Sequence, residues 1–274
     1  MSYSDRAYTP GPFSRALIEL SRRTVLGRGG MRKTMAKGVR ALNPDRPIDV
    51  SLYGGRARLH HSGNNSEVKA LLSPHRYARE EYAFCRKHMP SQNGVFVDIG
   101  GNAGIFSLFV ASLMESGTLV VAEPQPDMFE RLTTNFELNP EIQARRSLHL
   151  IASAIGGDVP GTLTISTPES AGQASARLVD GVPTIDVPQI PMVQLLQEKR
   201  VEKVDLLKID VEGFEDGILF PFFHSAPASL YPKAIVMEAC HAGRWERDCE
   251  ALLLEHGYAI THKDRTNMML VLDT

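Results

Sequence analysis

The sequence predicts an α/β protein built around a mostly parallel β-sheet with helices on both faces. Two observations lead to this fold class. Between residues 94 and 272, short β-branched runs alternate with segments of helical length, which is typical of strands joined by helical crossovers. The last two runs, 258–263 and 266–272, are too close for a helix between them. We therefore expect them to pair as an antiparallel hairpin at one edge of the sheet.

Length and composition are those of an ordinary globular protein. The chain has 274 residues, 43% of them apolar and 23% charged, and a net charge of −2, which suits one large α/β domain with an added segment. No apolar run approaches the ~18 residues of a membrane span, and the charge balance argues against coating of nucleic acid. The three cysteines have no disulfide or zinc spacing and favour a cytoplasmic location; they are Cys85, Cys240 and Cys249.

The first 48 residues differ from the rest in charge. They carry ten basic residues against three acidic ones, a net charge of +7. Helix formers extend from Phe13 to Leu42, with glycines around position 29. One interpretation is a solvated arm or a helix pair packed on the core. The other is a patch for an anionic substrate, a membrane surface or a partner.

The remaining elements follow in order along the chain. A β-hairpin is predicted at 49–60 around the turn Gly54-Gly55, and helical sequence follows at 67–88. The strands predicted for the main sheet are 94–99, 117–122, 147–153, 203–209, 232–238, 258–263 and 266–272. The helices predicted between them are 104–115, 127–138, 213–221 and 243–256. A second strand pair, 161–166 and 184–188, brackets a loop at 167–183 that is either a binding loop or without function.

The most informative segment is 95–106, with the sequence VFVDIGGNAGIF. Here an apolar strand runs into a glycine-rich turn from which a helix leaves. Ligands of open α/β sheets bind at the carboxyl ends of the strands, and glycines there let the backbone approach the ligand closely. The next apolar run ends at Glu123, roughly twenty residues further on, where a carboxylate can hold both hydroxyls of a ribose. A nicotinamide dinucleotide and S-adenosylmethionine (SAM) both satisfy this pattern.

The residues of the turn distinguish the two ligands. Dinucleotide binding favours the motif G-x-G-x-x-G, with the pyrophosphate at the helix N-terminus. Asn102 stands at the position of the second glycine of that motif. Asp98 adds a carboxylate that would repel a pyrophosphate and attract the ammonium group of SAM. The sequence therefore favours SAM.

Several motifs together resemble the FkbM family of SAM-dependent methyltransferases. They are Asp98-x-Gly100-x-Asn102-x-Gly104, Glu123-Pro124, Asn135…Asn139, the run KIDVEGFE at 208–215, and Ile235-Val236-Met237-Glu238. The resemblance covers roughly residues 50–272, and KIDVEGFE is its most specific part. The chain departs from the family at Leu195-Leu196, where the family often has Leu-Asp.

The resemblance implies a class I methyltransferase fold, a Rossmann-like sheet of seven strands with an antiparallel last strand. It also implies transfer of a methyl group from SAM to a hydroxyl of a sugar, a polyketide or another small natural product. The predicted domains are a basic arm at 1–48, an N-terminal hairpin with helices at 49–92 and a SAM-binding domain at 93–274.

The resemblance and the positions of the residues agree on the cofactor site. The methionyl part is expected at the glycine turn, the ribose at Glu123 and the adenine near the end of the third strand. The residues predicted for these contacts are Asp98, Gly100, Asn102, Gly104, Glu123, Ser153 and Ala154. Asp210, beyond the end of the strand at 203–209, is expected to touch the cofactor or to act on the substrate.

Methylation of an alcohol needs a general base, because the hydroxyl loses its proton as it attacks. The candidates are Asp210, Glu238 and His241, all of which follow predicted strands. Histidine is the natural base by type, since its ordinary pKa is near neutral. No group of His, Asp and Glu has the spacing of metal ligands, so we expect no required metal.

Other functions stay open at this point. One is an NAD-dependent oxidoreductase; another is a non-catalytic protein that binds the cofactor or a glycan. Nucleic acid is not the expected acceptor, because the chain has no Asn/Asp-Pro-Pro-Tyr/Phe run for methylation of a base amine. We expect a small-molecule or carbohydrate acceptor, with a peripheral surface contact through the basic arm as a further option. The sequence favours no particular oligomeric state.

Overall fold

The computed structural model describes residues 7–44, 46–168, 173–178 and 180–273. The described chain begins with two helices, α1 (Pro12–Arg23) and α2 (Gly29–Leu42), so the predicted helical segment is confirmed. Leu17 of α1 lies so close to Gly38 of α2 that an added Cβ would be 3.2 Å from its Cδ1. The side chain of Arg22 donates a hydrogen bond to the carbonyl of Leu71. The helices are thus a pair packed on the core.

A β-hairpin follows, formed by β1 (Ile48–Leu52) and β2 (Gly55–Leu59). The predicted turn Gly54-Gly55 is wrong by one residue, because the turn is Tyr53-Gly54, with φ of 51° and 84°. Two positive φ values give the turn a twist that matches the two strands. Gly55 belongs to β2, where an added Cβ would lie 2.3 Å from the side chain of Asn139.

The predicted helical stretch at 67–88 is two helices, α3 (Asn65–Leu72) and α4 (Arg79–His88), separated by a short 3₁₀ turn. In chain order the remaining strands are β3 (Gly94–Ile99), β4 (Gly117–Ala122), β5 (Arg146–Ile151), β6 (Ala154–Ile155), β7 (Gly161–Ser166), β8 (Thr184–Ile190), β9 (Leu206–Ile209), β10 (Ala234–Glu238), β11 (Tyr258–Lys263) and β12 (Asn267–Leu272). The remaining helices are α5 (Ile105–Leu113), α6 (Pro126–Glu137), α7 (Pro140–Arg145), α8 (Met192–Glu198), α9 (Asp216–Ser225) and α10 (Cys249–Glu255).

Seven strands form the main sheet, in the order β11-β12-β10-β9-β3-β4-β5. β12 runs antiparallel to both of its neighbours, whereas the other pairs are parallel. The predicted fold class is therefore confirmed: an α/β protein with a Rossmann-like, mostly parallel sheet of seven strands and an antiparallel last strand.

The main sheet is covered on both faces. Phe96 and Val97 are successive residues of β3, and each belongs to a different apolar cluster. Both side chains are buried, as expected for a central parallel strand whose residues alternate between two covered faces. The parallel arrangement brings the carboxyl ends of β3, β4, β9 and β10 to one edge of the sheet.

A smaller sheet, in the order β6-β8-β7, stands beside this edge. The predicted strand pair at 161–166 and 184–188 is confirmed as β7 and β8. In the connecting loop, the hydroxyl of Ser175 donates to the carbonyl of Glu212, and Arg177 forms an ion pair of 2.7 Å with Asp216. The predicted loop residues 169–172 and 179 lie outside the described residues.

Two predicted helix starts are wrong. The helix after β9 starts at Asp216, three residues later than predicted, because Glu212 and Gly213 have positive φ values. The helix before β11 starts at Cys249, six residues later than predicted. There the side chain of Asp248 caps it by accepting two backbone N–H groups of the first turn.

Two short helices, α7 and α8, have no counterpart among the predicted elements. Among the described residues, no helix has both the length and the apolar character to cross a bilayer. The division into segments 1–48, 49–92 and 93–274 stays a prediction.

Candidate active site

A cavity of about 200 Å³ lies at the carboxyl ends of the main strands. Most of the site residues predicted from the sequence converge on it, although they come from distant parts of the chain. Those that line the cavity are Gly100, Asn102, Glu123, Ser153, Ala154, Asp210 and Glu238. The other three predicted residues, Asp98, Gly104 and His241, lie outside this lining.

The two predicted glycines of the turn serve close packing. Gly100 has a φ of 83°, and an added Cβ would be only 1.9 Å from the carbonyl oxygen of Asp210. The chain leaving β9 therefore passes directly against the turn. Gly104 has a φ of 79° and precedes α5, where an added Cβ would be 2.7 Å from a methyl group of Leu132 in α6. Only glycine fits these two positions without displacement of a neighbour.

Glu123 joins the glycine turn to the end of β4. Its carboxylate accepts the backbone N–H of Asn102 at 2.8 Å and that of Gln125 at 2.9 Å. Burial raises the pKa of Glu123 to about 7, against the effect of these two hydrogen bonds. Because each carboxylate oxygen accepts only one of these N–H groups, each keeps capacity for a further donor from the cavity.

Asp98 lies beneath the cavity wall and is fully buried. Its carboxylate accepts hydrogen bonds from the hydroxyl of Ser107 and from the ammonium group of Lys208. The Lys208 nitrogen lies 3.3 Å from both Asp98 and Asp210. Burial lowers the pKa of Lys208, but the two carboxylates outweigh it and raise that pKa above its ordinary value.

Lys208 is a cation that the sequence marks as structural and that is not among the predicted site residues. The signal was a lysine within an otherwise apolar strand, which is costly unless the charge is paired. The structure supplies two partners for this charge, one on β3 and one beyond the end of β9.

Three carboxyl groups crowd together where β9 and β10 end. Oxygen atoms of Asp210, Glu212 and Glu238 lie within 4.8 Å of one another. Burial and the neighbouring acids raise the pKa of Glu212 to about 7 and that of Glu238 to about 9. Glu212 and Glu238 therefore hold protons more tightly than ordinary glutamates do.

His241 stands behind this cluster. Its Nδ1 lies 3.2 Å from an oxygen of Glu238 and 3.3 Å from one of Glu212. Burial and the charge of Arg244 lower the pKa of His241. A neutral imidazole with its proton on Nδ1 is suited to donate a hydrogen bond to Glu238.

The cluster also bears on metal binding. Glu238, Cys240 and His241 offer a second group of ligand atoms within 4.8 Å of one another. Spacing along the chain does not reveal either group, because β9 and β10 are brought together by the sheet. That no metal is required stays a prediction.

The N-terminal helices contribute residues that the sequence analysis missed. Asn64, Ser66 and Lys69 line the cavity of about 200 Å³. The side chain of Asn64 caps α3 by accepting the N–H of Ser66 and donates to the Oδ1 of Asn102 at 2.6 Å. The capping pattern marks the start of α3 in the sequence, but the contact of Asn64 with the glycine turn depends on the tertiary structure.

A second cavity, of about 410 Å³, adjoins the first. Asp210 and Glu238 line both cavities, as do Ser66 and Lys69. The second cavity is further lined by the rings of Tyr77 and Phe106 and by basic side chains of the N-terminal elements. Asp210, just after β9, and Glu238, the last residue of β10, therefore lie between the two cavities.

These features define a class of protein: a Rossmann-like α/β protein with a polar cavity at the carboxyl ends of its parallel strands. The residues present fit SAM, since the Glu123 carboxylate suits a ribose diol and Gly100 and Asn102 line the same cavity. The family model of the methyltransferase FkbM domain matches residues 98–260. The chain therefore belongs to the FkbM methyltransferase family, and it is an enzyme that uses SAM as its cofactor.

Curated relatives are also methyltransferases. The chain is similar to Methyltransferase sdnD of Sordaria araneosa, with 26% identity over 205 residues that cover 65% of this chain and 78% of that protein. It is similar to Methyltransferase 1 of Beauveria bassiana, with 28% identity over 45% of this chain and 56% of that protein. Among solved structures, the methyltransferase FkbM of Methylobacillus flagellatus matches with 15% identity and a TM-score of 0.42, over 77% of this chain and 55% of that chain.

Proposed function

We propose that this methyltransferase methylates a hydroxyl group of a small natural product or a carbohydrate. The cavity of about 200 Å³ would hold SAM and the cavity of about 410 Å³ the acceptor. The observation that carries this proposal is that Asp210 and Glu238 border both cavities. When bound, SAM supplies a methyl group already activated by its sulfonium, so the protein mainly aligns the reactants and excludes water.

The cofactor residues would each contact a different part of SAM. Glu123 would accept the ribose hydroxyls, and Gly100 and Asn102 would face the methionyl part with their backbone. Ser153 and Ala154 would border the adenine, next to the apolar side chain of Ile155. Each of these residues lines the cavity, which supports the assignment.

Asp98 and Gly104 would act through other residues. Asp98 is fully buried and holds Lys208, which in turn lies 3.3 Å from the carbonyl of Gly100. Gly104 lets α5 begin close to α6. We assign both to positioning the glycine turn, with Asp98 as the counter-charge that keeps Lys208 in place.

Glu238 is our choice for the general base. It borders the acceptor cavity, and its raised pKa makes its carboxylate a stronger base than that of an ordinary glutamate. Positive charge bound in the adjoining cavity would favour the ionised form of Glu238, which then accepts the proton of the acceptor hydroxyl.

His241 would be a positioning residue in this scheme. Its Nδ1 lies against Glu238 and Glu212, and the residue lines neither cavity. Donation from Nδ1 would fix the orientation of the Glu238 carboxylate. Asp210 would contribute negative charge at the boundary between the two cavities, held in place by Lys208.

Isothermal titration tests the cofactor site. We expect the protein to bind SAM and S-adenosylhomocysteine, and we expect Glu123→Ala to weaken both by ~10–100-fold, because hydrogen bonds to a charged group are lost. Glu137→Ala, at an exposed glutamate of α6, is the matched control and should bind as the wild type does. Binding of NAD(H) alone would contradict the proposed site.

Methyl transfer to a panel of hydroxylated glycans and natural products then tests the acceptor class. Products should carry the new methyl group on oxygen, as determined by mass spectrometry and NMR. Methylation of nitrogen or carbon, with the hydroxyls untouched, would refute the proposed reaction while leaving the cofactor site intact.

A further inference from the structure

We propose that the acceptor carries an anionic group, a phosphate or a carboxylate, which is bound by Arg32, Lys69 and Arg76. This inference rests on the proposed function of the cavity of about 410 Å³, whose lining includes all three residues. The three basic residues come from separate elements, α2, α3 and the 3₁₀ turn after α3. We call them the basic wall.

The cations of the basic wall lack carboxylate partners. Within the parts of the chain that the structure describes, none of Arg32, Lys69 and Arg76 forms an ion pair. The only side-chain partner of Arg76 there is His75, which accepts a hydrogen bond from its Nε at 3.2 Å. Three positive charges therefore line one cavity without an ion-pair partner in the described chain, and this favours an anionic ligand.

The acidic groups around the same cavity are already engaged elsewhere. Glu80 pairs with Arg79 at 3.7 Å, and Glu81 accepts a hydrogen bond from the side chain of Asn267. Asp264 accepts the backbone N–H of Asn267 at 2.8 Å and is the cap of the turn between β11 and β12. Because these acids have other partners, the positive charges of the basic wall are available to a ligand.

The charges along the cavity would also orient the acceptor. Asp210 and Glu238 are acids at the boundary with the cofactor cavity, whereas two residues of the basic wall, Arg32 and Arg76, line only the cavity of about 410 Å³; Lys69 lines both cavities. An anionic group is repelled by the first and attracted by the second. The uncharged hydroxyl of the same molecule would then be turned toward Glu238. Arginine binds the oxygens of phosphate or carboxylate in pairs, which adds directional selectivity.

Arg32 adds a point about the N-terminal segment. It belongs to α2, outside residues 98–260 that match the family model. The basic segment 1–48 would therefore contribute to acceptor selection through this residue, in addition to packing on the core. If segment 1–48 provides a patch for an anionic substrate, that patch would lie at Arg32, beside the cavity of about 410 Å³.

Titration with inorganic phosphate and with acetate tests the anion site directly. The protein is loaded with S-adenosylhomocysteine, and binding is measured at low salt. We expect the double variant Arg32→Gln/Lys69→Gln to bind phosphate at least ~10-fold more weakly, since each lost contact is charge-assisted. Arg145→Gln, at an exposed arginine of α7, should match the wild type. Absence of phosphate binding, or equal binding by the double variant, would overturn the proposal.

Pairs of acceptors that differ only in the anionic group test its role in catalysis. Glucose 6-phosphate is compared with glucose, and gluconate with glucitol. We expect kcat/KM to be at least ~10-fold higher for the charged member, and the double variant to lose that preference. Equal turnover of charged and neutral members would overturn the proposal. If no member of the panel is methylated, the phosphate titration decides.

The two proposals fail in different ways. If SAM does not bind to the wild type, the proposed function itself is wrong. If SAM binds equally to the wild type and the double variant but phosphate binding does not differ, only the basic wall is misassigned. The cofactor titration is therefore run on every variant.

A phosphate group could be presented by a soluble molecule or by a lipid headgroup. Phe13 and Leu20 of α1 are 77% and 45% exposed, so an apolar surface exists on the segment that carries Arg32. Sedimentation with phosphatidylcholine vesicles, with and without phosphatidic acid, distinguishes the sources. Binding that needs phosphatidic acid and Arg32 together with Lys69 would support a lipid headgroup. Phosphate binding without vesicle binding would support a soluble acceptor.

Discussion

Two groups of acids meet at the same edge of the sheet, yet their surroundings differ. Asp98 and Glu123 are buried, and each accepts at least two hydrogen bonds from the protein. Asp210, Glu212 and Glu238 lie within 4.8 Å of one another. Crowding and burial raise the pKa of Glu238 to about 9.

The difference separates two kinds of binding surface. The first group is satisfied by backbone N–H groups, a hydroxyl and an ammonium, so its geometry is set before any ligand arrives. The second group has fewer donors than acceptors and responds to the charge of whatever binds beside it. The first arrangement suits recognition of a constant cofactor, whereas the second suits transfer of a proton.

The largest effect is expected at Glu238. Glu238→Gln keeps the shape of the side chain and removes its basicity, so kcat should fall by ~10²–10⁴-fold. The dissociation constant for SAM, measured by calorimetry, should change far less. Glu255→Gln, at an exposed glutamate of α10, serves as the control and should retain full activity.

The same kinetic assay, applied to a His241 variant, tests whether His241 acts through Glu238. His241→Ala removes a donor to the Glu238 carboxylate, so the pKa of Glu238 should rise and the pH profile of kcat should move to higher pH. A loss of activity without such a shift would mean that His241 does not act through Glu238. Full activity of Glu238→Gln would show that another residue is the general base.

A large effect on stability is expected at Lys208, which links the two groups. Lys208→Met leaves Asp98 buried without its counter-charge, and we expect the free energy of unfolding to fall by about 3–5 kcal/mol. Urea denaturation measures this loss. The double variant Asp98→Asn/Lys208→Met should recover part of it, because no buried charge then remains unpaired. Equal losses in the single and double variants would show that packing, not charge, is responsible.

The smallest effect is the pH dependence of stability in the protein without cofactor. The pKa of Glu238 is about 9 in the folded state, against an ordinary value of 4.5. The folded state therefore binds more protons than the unfolded state between these pH values, and stability should fall as pH rises through this range. Glu238→Gln removes the contribution of Glu238 to this dependence, while Glu123 and Glu212 keep theirs, and the variant should be more stable than the wild type at pH 9 by more than about 1 kcal/mol. Parallel urea curves for the two proteins at pH 5, 7 and 9 would contradict the raised pKa.

Local patterns in the sequence were enough to predict that the glycine turn and the end of β4 come together. The apolar run into Gly100 and the acid at Glu123 are each a few residues from the strand that positions them. The carboxyl ends of parallel strands necessarily share one edge of the sheet. For that reason Gly100, Asn102 and Glu123 were expected together, and all three line one cavity.

Contacts between distant segments could not be predicted in this way. Asp98 and Lys208 are separated by 110 positions in the chain, and Asn64 contacts Asn102 across 38. Their pairing depends on β9 lying beside β3 and on α3 packing over the glycine turn. No local pattern encodes these two relations, because they depend on the order of the strands and on the packing of the helices.

The sequence by itself determined the class of fold, the residues proposed for the nucleoside site and the acids available for chemistry. Periodicity and turn residues act over a few positions, and parallel strands align their ends. Only the tertiary structure decided which of those acids accept hydrogen bonds from the protein and which lie close to other acids. It also decided that Lys208 joins Asp98 to Asp210 and that Arg32 lines the cavity of about 410 Å³. The physical reason is that burial and Coulomb interactions depend on distances through space, whatever the separation along the chain.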